Sequence, residues 1–120
     1  MTSSDKSVFL VTELWLIPGS FPKLKQYRRQ INDILEKFRP TYIFHNHPFE
    51  WVAGENTESY PTGIEIIKFE SEKLARAALA ALDTEEIKAI EIELFHRVRC
   101  YLSRYDFPDS LTAEIFNKIH

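Results

Sequence analysis

The stretch VFLVTELWLI, residues 8–17, followed at once by Pro18-Gly19, decides the fold. It is rich in β-branched and aromatic residues, short for a helix, and closed by a turn pair, so it reads as a strand. Apolar residues occupy both of its parities: Val8, Leu10, Leu14 and Leu16 on one, Phe9, Val11, Trp15 and Ile17 on the other. Side chains alternate across a strand, so a sheet with one wet face shows one apolar parity. Two apolar parities predict a sheet covered on both faces.

Working outward, Ser20 offers a helix cap and Pro22 sits in the first turn. Phe21, Leu24, Tyr27, Ile31, Ile34, Leu35 and Phe38 recur at helical spacing up to Pro40. The other face carries Lys23, Lys25, Arg28, Arg29, Lys37 and Arg39 and reads as a solvated surface. Thr41–Val52 (TYIFHNHPFEWV) predicts a second strand, which Pro48 interrupts with a bulge or forces to an edge. Residues 53–62 form a polar loop, and Gly63–Glu70 (GIEIIKFE) a third strand. Ser71 caps a second helix with the stripe Leu74, Ala75, Ala78, Leu79 and Leu82; Glu85–Ile90 adds a short helical turn. Glu93–Tyr105 alternates as a fourth strand, and a short amphipathic helix with Leu111, Ile115, Phe116 and Ile119 follows Phe107-Pro108.

Strand, helix, strand, strand, helix, strand is an α+β, ferredoxin-like βαββαβ order, with a four-stranded antiparallel sheet and both helices on one face. The helices cannot cover two faces. The simplest cover for the other is the same sheet from a second copy, giving a homodimer in which two sheets form a dimeric α/β barrel. The competing reading is a monomer half capped by residues 109–120. The expected organisation is a disordered N-terminus (1–7), a barrel domain (8–105) and a C-terminal helical extension (106–120).

Composition narrows the function classes. The 120 residues are 44% apolar and 28% charged, with a net charge of −3, which suits one globular core and gives no electrostatic case for nucleic acid. No apolar run approaches the roughly 20 residues a spanning helix needs, and no secretory pattern is visible, so a soluble cytoplasmic protein without membrane partners is expected. A single cysteine, Cys100, excludes an internal disulfide framework, and its position on an apolar parity suggests an inert thiol. With three glycines there is neither a Gly-rich phosphate loop nor a dinucleotide fingerprint.

His45 and His47 are the sharpest chemical feature, because i, i+2 spacing in a strand points both imidazoles to one face. His96, Glu13 or Glu65 could complete a metal set, but no spacing rule brings them together, and histidines near Pro48 also suit water or backbone carbonyls. No metal and no cofactor is assigned, although one histidine suffices for haem. Glu13 and Glu65 are acids inside apolar strands. Facing a barrel interior, either has its pKa raised by desolvation and suits general acid–base work; paired with Arg97 or Arg99, it is structural. Among the aromatic residues, Trp15, Phe44, Trp51 and Tyr101, together with His96, are the candidate lining of a pocket for a small apolar or aromatic ligand, or the packing of a dimer core.

ELWLIPGSFPKLKQY (Glu13–Tyr27) resembles the start of the dimeric α/β-barrel superfamily. GIEIIKFESEKLARAAL (Gly63–Leu79), followed by DTEEIK (Asp83–Lys88), is similar to a small, mostly bacterial subgroup of domains of unknown function related to antibiotic-type monooxygenases. The resemblance covers most of residues 8–105; the aromatic, histidine-bearing second strand and the residues after Pro108 depart from it. It implies a fold and a pocket rather than a reaction, since the superfamily spans monooxygenases, cyclases, isomerases and haem-dependent enzymes. The expected function is a small-molecule-binding protein or cofactor-independent enzyme of monooxygenase, isomerase or cyclase type. Glu13, His45, His47 and Glu65 are its candidate catalytic groups. A non-catalytic homodimeric interaction module and a metal- or haem-binding barrel are the alternatives.

Overall fold

A computed structural model describes residues 6–54 and 59–104. Strand β1 (Val8–Leu16) runs into helix α1 (Phe21–Leu35), which tightens into a 3-10 turn over Glu36–Phe38. Then come β2 (Thr41–Asn46), β3 (Gly63–Phe69), α2 (Glu72–Leu82), α3 (Glu85–Leu94) and β4 (Phe95–Arg104). The four strands form one antiparallel sheet in the order β2-β3-β1-β4, the ferredoxin-like arrangement that the element order requires. The expected frayed segment and C-terminal helix fall largely on residues 1–5 and 105–120, outside the described residues.

The register assigns the faces. Val8, Leu10 and Leu14 pair with Phe69, Ile67 and Gly63 on β3, and Leu10 and Leu14 pair with Leu102 and Val98 on β4. Directly paired residues share a face, and this one carries the helices. There Val8, Leu10, Ile67 and Phe69 pack with Leu35 of α1 and with Ala75 and Ala78 of α2, whose small side chains let the helix approach the sheet. A second cluster, Leu14, Leu94 and Phe95, is flanked by Leu24, Tyr27 and Ile90. Ser71 and Thr84 cap α2 and α3 by accepting from Leu74 N at 3.2 Å and Ile87 N at 3.2 Å. Ser20 precedes α1 but does not cap it with its side chain. Its hydroxyl donates instead to the carbonyls of Ile17 (2.6 Å) and Leu94 (3.1 Å), tying the Pro18-Gly19 turn to the end of α3. Gly19 takes φ 86°, a conformation that disfavours side chains.

Three boundaries differ from the sequence reading. The helical turn after Thr84 is a ten-residue helix through Leu94, because Ile87, Ile90 and Leu94 continue one apolar stripe. Glu93 and Leu94 are therefore helical, and a register shift beside Trp15 and Leu16 brings Phe95 into line with Leu16. β2 stops at Asn46, before Pro48, as an edge strand with its own shift between Tyr42 and Phe44.

The sheet face that none of the described helices covers, the helix-free face, is partly covered from within the chain. Trp15 is only 3% exposed; the chain entering β3 lies against it, and its indole Nε1 donates to Ser59 O at 3.1 Å. Thr62 anchors that segment: its N donates to Leu14 O (2.7 Å), and its Oγ1 accepts from Leu16 N (3.0 Å). The Arg97 guanidinium stacks 4.6 Å from the Trp15 ring centroid. Farther along, the row Ile66, Val11 and Tyr101 lies on this face, with Tyr101 45% exposed. No helix among the described residues is long and apolar enough to cross a membrane.

Candidate functional site

The helix-bearing face of the sheet does not close completely against the helices. A cavity of about 310 Å³ remains, walled by Leu24 and Ile31 of α1, Leu79 and Leu82 of α2, and Leu10 and Leu14 of β1. An apolar hollow with a few convergent polar groups is the usual form of a small-molecule site.

Three elements deliver its central polar group. His45 on β2 and Glu65 on β3 stand opposite each other in the ladder. Arg28 descends onto them from α1, its Nη1 paired with the Glu65 carboxylate and its Nη2 2.8 Å from His45 Nε2. A guanidinium can only donate, so Nε2 is the acceptor and a neutral ring carries its proton on Nδ1. Gly63 lies two residues before Glu65 on the same face, and a Cβ there would come within 3.4 Å of His45 Nε2.

Other polar groups ring the cavity. Tyr27 donates its hydroxyl to Glu91 Oε2 at 2.9 Å; burial, reinforced by the Glu91 charge and hydrogen bond, pushes the phenol far above its ordinary range. Tyr42 donates to Asn32 Oδ1 at 2.9 Å and is raised by burial and then by the charges of Glu36 and Glu65. The Cys100 thiol lies 3.5 Å from Thr12 Oγ1, and burial raises its pKa against the opposing effect of that contact. These groups are uncharged at neutral pH, which leaves Arg28, Glu65 and Glu91 as the site's charged lining.

A second cavity, of about 320 Å³, shares Leu14, Leu24, Arg28 and His45 with the first and continues to Leu16, Phe21, His47 and Phe95. His47 lies just past the end of β2, its Nδ1 hydrogen-bonded to the Thr62 carbonyl. A third, of about 330 Å³, lies on the helix-free side between Glu13, Trp15, Trp51, Tyr60 and Arg99.

The residues singled out by sequence therefore divide. His45, Glu65 and Phe44 border the first cavity, and His45 and His47 the second. Glu13, Trp15 and Trp51 border the third. Tyr101 stands on the helix-free face, where its hydroxyl donates to Glu13 Oε2 at 3.4 Å; burial and the Glu13 charge raise its pKa. Glu13 also pairs with Arg99 Nε at 3.4 Å, the structural role weighed for it from sequence, whereas Glu65 pairs with Arg28 rather than with β4. His96 is exposed at the start of β4 and borders none of the three cavities. Among the described residues, no group of three His, Cys, Asp or Glu side chains could hold a metal ion.

Arg28 is the residue that sequence reasoning missed. Its signal was positional: Leu24, Arg28, Ile31 and Leu35 follow spacings of four, three and four, so the arginine interrupts the inward stripe of α1.

No protein-family model matches the chain, and no curated protein matches it significantly. Solved structures do. A protein of unknown function from Rhodopseudomonas palustris aligns with TM-score 0.66 at 12% identity, over 87% of this chain and 85% of that one. A candidate monooxygenase from Shewanella loihica aligns with TM-score 0.55 at 13% identity, over 86% and 97%. A NIPSNAP-like domain protein from Burkholderia xenovorans gives 0.53 at 12%, over 87% and 91%. The chain shares its ferredoxin-like fold with this monooxygenase-like and NIPSNAP-like group, in keeping with the resemblance read from the sequence.

Tyr27 yields a pH dependence. Its raised pKa means that the folded chain holds the phenolic proton more tightly than the unfolded chain, for which a value of about 10 is ordinary. The resulting stabilisation is complete below about pH 10 and is lost as the pH climbs towards the raised folded value. Urea unfolding of the wild type should weaken more steeply above about pH 10 than that of Tyr27→Phe. In the absorbance titration of the folded protein, Tyr27→Phe should lose the last phenol to ionise; loss of an early-titrating phenol would contradict this.

Proposed function

We propose that the chain binds a compact, largely apolar ligand bearing an enolisable carbonyl, and acts on it by proton transfer without a cofactor. The observation that supports this most is Arg28 spanning the Glu65 carboxylate and His45 Nε2 at the edge of an apolar cavity. Glu65 holds the guanidinium in place and offsets its charge. A substrate carbonyl oxygen accepts the Nη2 hydrogen that His45 accepts in the free protein, which releases the Nε2 lone pair for use as a base.

His45 Nε2 then takes a proton from the carbon next to the carbonyl. The C–H electron pair becomes the enolate, whose oxygen bears its charge against Arg28. Return of the proton from His45 to a different carbon is an isomerisation. Attack of the enolate carbon on a second carbonyl of the same molecule forms a ring, and His45 then gives its proton to the new alkoxide. Either outcome balances without oxidant or metal. Arg28 is the oxyanion clamp, His45 the base, and Glu65 the positioning residue.

The protein should accelerate exchange of the α-protons of propiophenone into deuterated water. His45→Gln should lower that acceleration by at least about 100-fold, with propiophenone affinity changed only a few-fold. Arg28→Met should weaken binding as well as exchange. Exchange that survives His45→Gln would overturn the assignment.

We also propose that the helix-free face pairs two copies into a homodimer, supported by Tyr101, which is 45% exposed beside the buried Val11 on a face that none of the described helices covers. Sedimentation velocity should give a dimer for the wild type and a folded monomer for Tyr101→Glu. A wild-type monomer would contradict it.

A further inference from the structure

The first two cavities adjoin at the chemical group. They share Leu14, Leu24, Arg28 and His45, so the guanidinium and the imidazole stand at the boundary between two lobes of similar size, about 310 and 320 Å³. The second lobe is walled mainly by apolar side chains, Leu16, Phe21 and Phe95. Its histidine, His47, already satisfies Nδ1 on the Thr62 carbonyl. Apart from Arg28 at the boundary, that wall holds no Asp, Glu, Lys or Arg side chain, so its chemistry suits a hydrocarbon arm rather than a second polar head.

Gly63 lines the second lobe beside His45. A Cβ at this position would lie 3.4 Å from His45 Nε2, 3.8 Å from Asn46 O and 3.9 Å from His45 Cδ2. The missing side chain leaves the edge of Nε2 open towards the second lobe. A Cβ here makes ordinary van der Waals contact, whereas a branched side chain adds bulk to the wall of the second lobe.

We infer that the ligand is two-armed, with a central enolisable carbonyl at Arg28 and His45, an apolar or aromatic body in the first lobe and a flexible apolar arm in the second, and that Gly63 determines whether that arm is accepted. This deepens the proposed function and rests on it. A compound with apolar groups on both sides of a 1,3-dicarbonyl fits the arrangement, since one carbonyl can meet Arg28 while the carbon between the two faces His45.

The test is a binding series of 1-phenyl-1,3-butanedione, -hexanedione and -octanedione, measured calorimetrically on the full chain. At about 0.8 kcal/mol per buried methylene, each two-carbon extension should tighten wild-type binding about tenfold until the lobe is full. Relative to its own affinity for the butanedione, Gly63→Val should lose most of the gain with length. Phe21, 70% exposed, is removable without opening the core, so Phe21→Ala provides an independent variant in which the gain per extension should shrink. A flat series in the wild type, with the butanedione bound, would overturn the two-armed ligand while leaving the proposed site intact. An equal gain with length in the wild type and in folded Gly63→Val would overturn the role of Gly63. Failure of all three compounds to bind would remove the proposed site and this inference together.

Discussion

A guanidinium held over the apolar face of a sheet is the constraint around which the site is organised. Arg28 belongs to the same helical stripe as Leu24, Ile31 and Leu35, so the packing that buries those side chains carries the charge inward with them. A charge in such a place is tolerated when it is paired and hydrogen-bonded. Glu65 supplies the counter-charge, and His45, opposite it in the ladder, supplies the acceptor nitrogen. One register of β2 against β3 delivers both partners. A one-residue slip would send either side chain to the opposite face and strand the arginine.

Much of the fold was legible because it depends on periodicity. Alternation in β4, the Leu74 to Leu82 stripe of α2, and the capping residue Ser71 are local signals, and each has its expected structural counterpart. The exceptions are also local in origin. Ser20 was readable as a side-chain cap, yet its hydroxyl finds two carbonyls, one of them at the distant end of α3. The longer α3 goes with the burial of Leu94 in the core, and the shorter β2 ends ahead of Pro48, which cannot donate to a ladder.

The site was less legible, because a strand pattern says which residues share a face but not which face holds the helices. His45 and Glu65 emerge together on the helix-bearing side, whereas Glu13 lies on the other side with Arg99 and Tyr101. Arg28 was hidden for a different reason. As one of several basic residues on α1 it reads as solvated surface, and only its position within the stripe separates it from Arg29. The two apolar parities of β1 did report cover on both faces, but at Trp15 the cover is the chain's own return segment at Ser59–Thr62. In the proposed homodimer a second copy covers the remainder of that face.

The central claim is that Arg28 and His45 together receive the ligand, and the imidazole nitrogens report on this directly. In long-range proton–nitrogen spectra of uniformly labelled protein, His45 should appear as the Nδ1–H tautomer. Addition of 1-phenyl-1,3-butanedione should shift its Nε2 and the Arg28 guanidinium resonances while leaving His96 unchanged. Shifts confined to the Trp15 indole and the Tyr101 region, with His45 and Arg28 unmoved, would place binding on the opposite face and contradict the account.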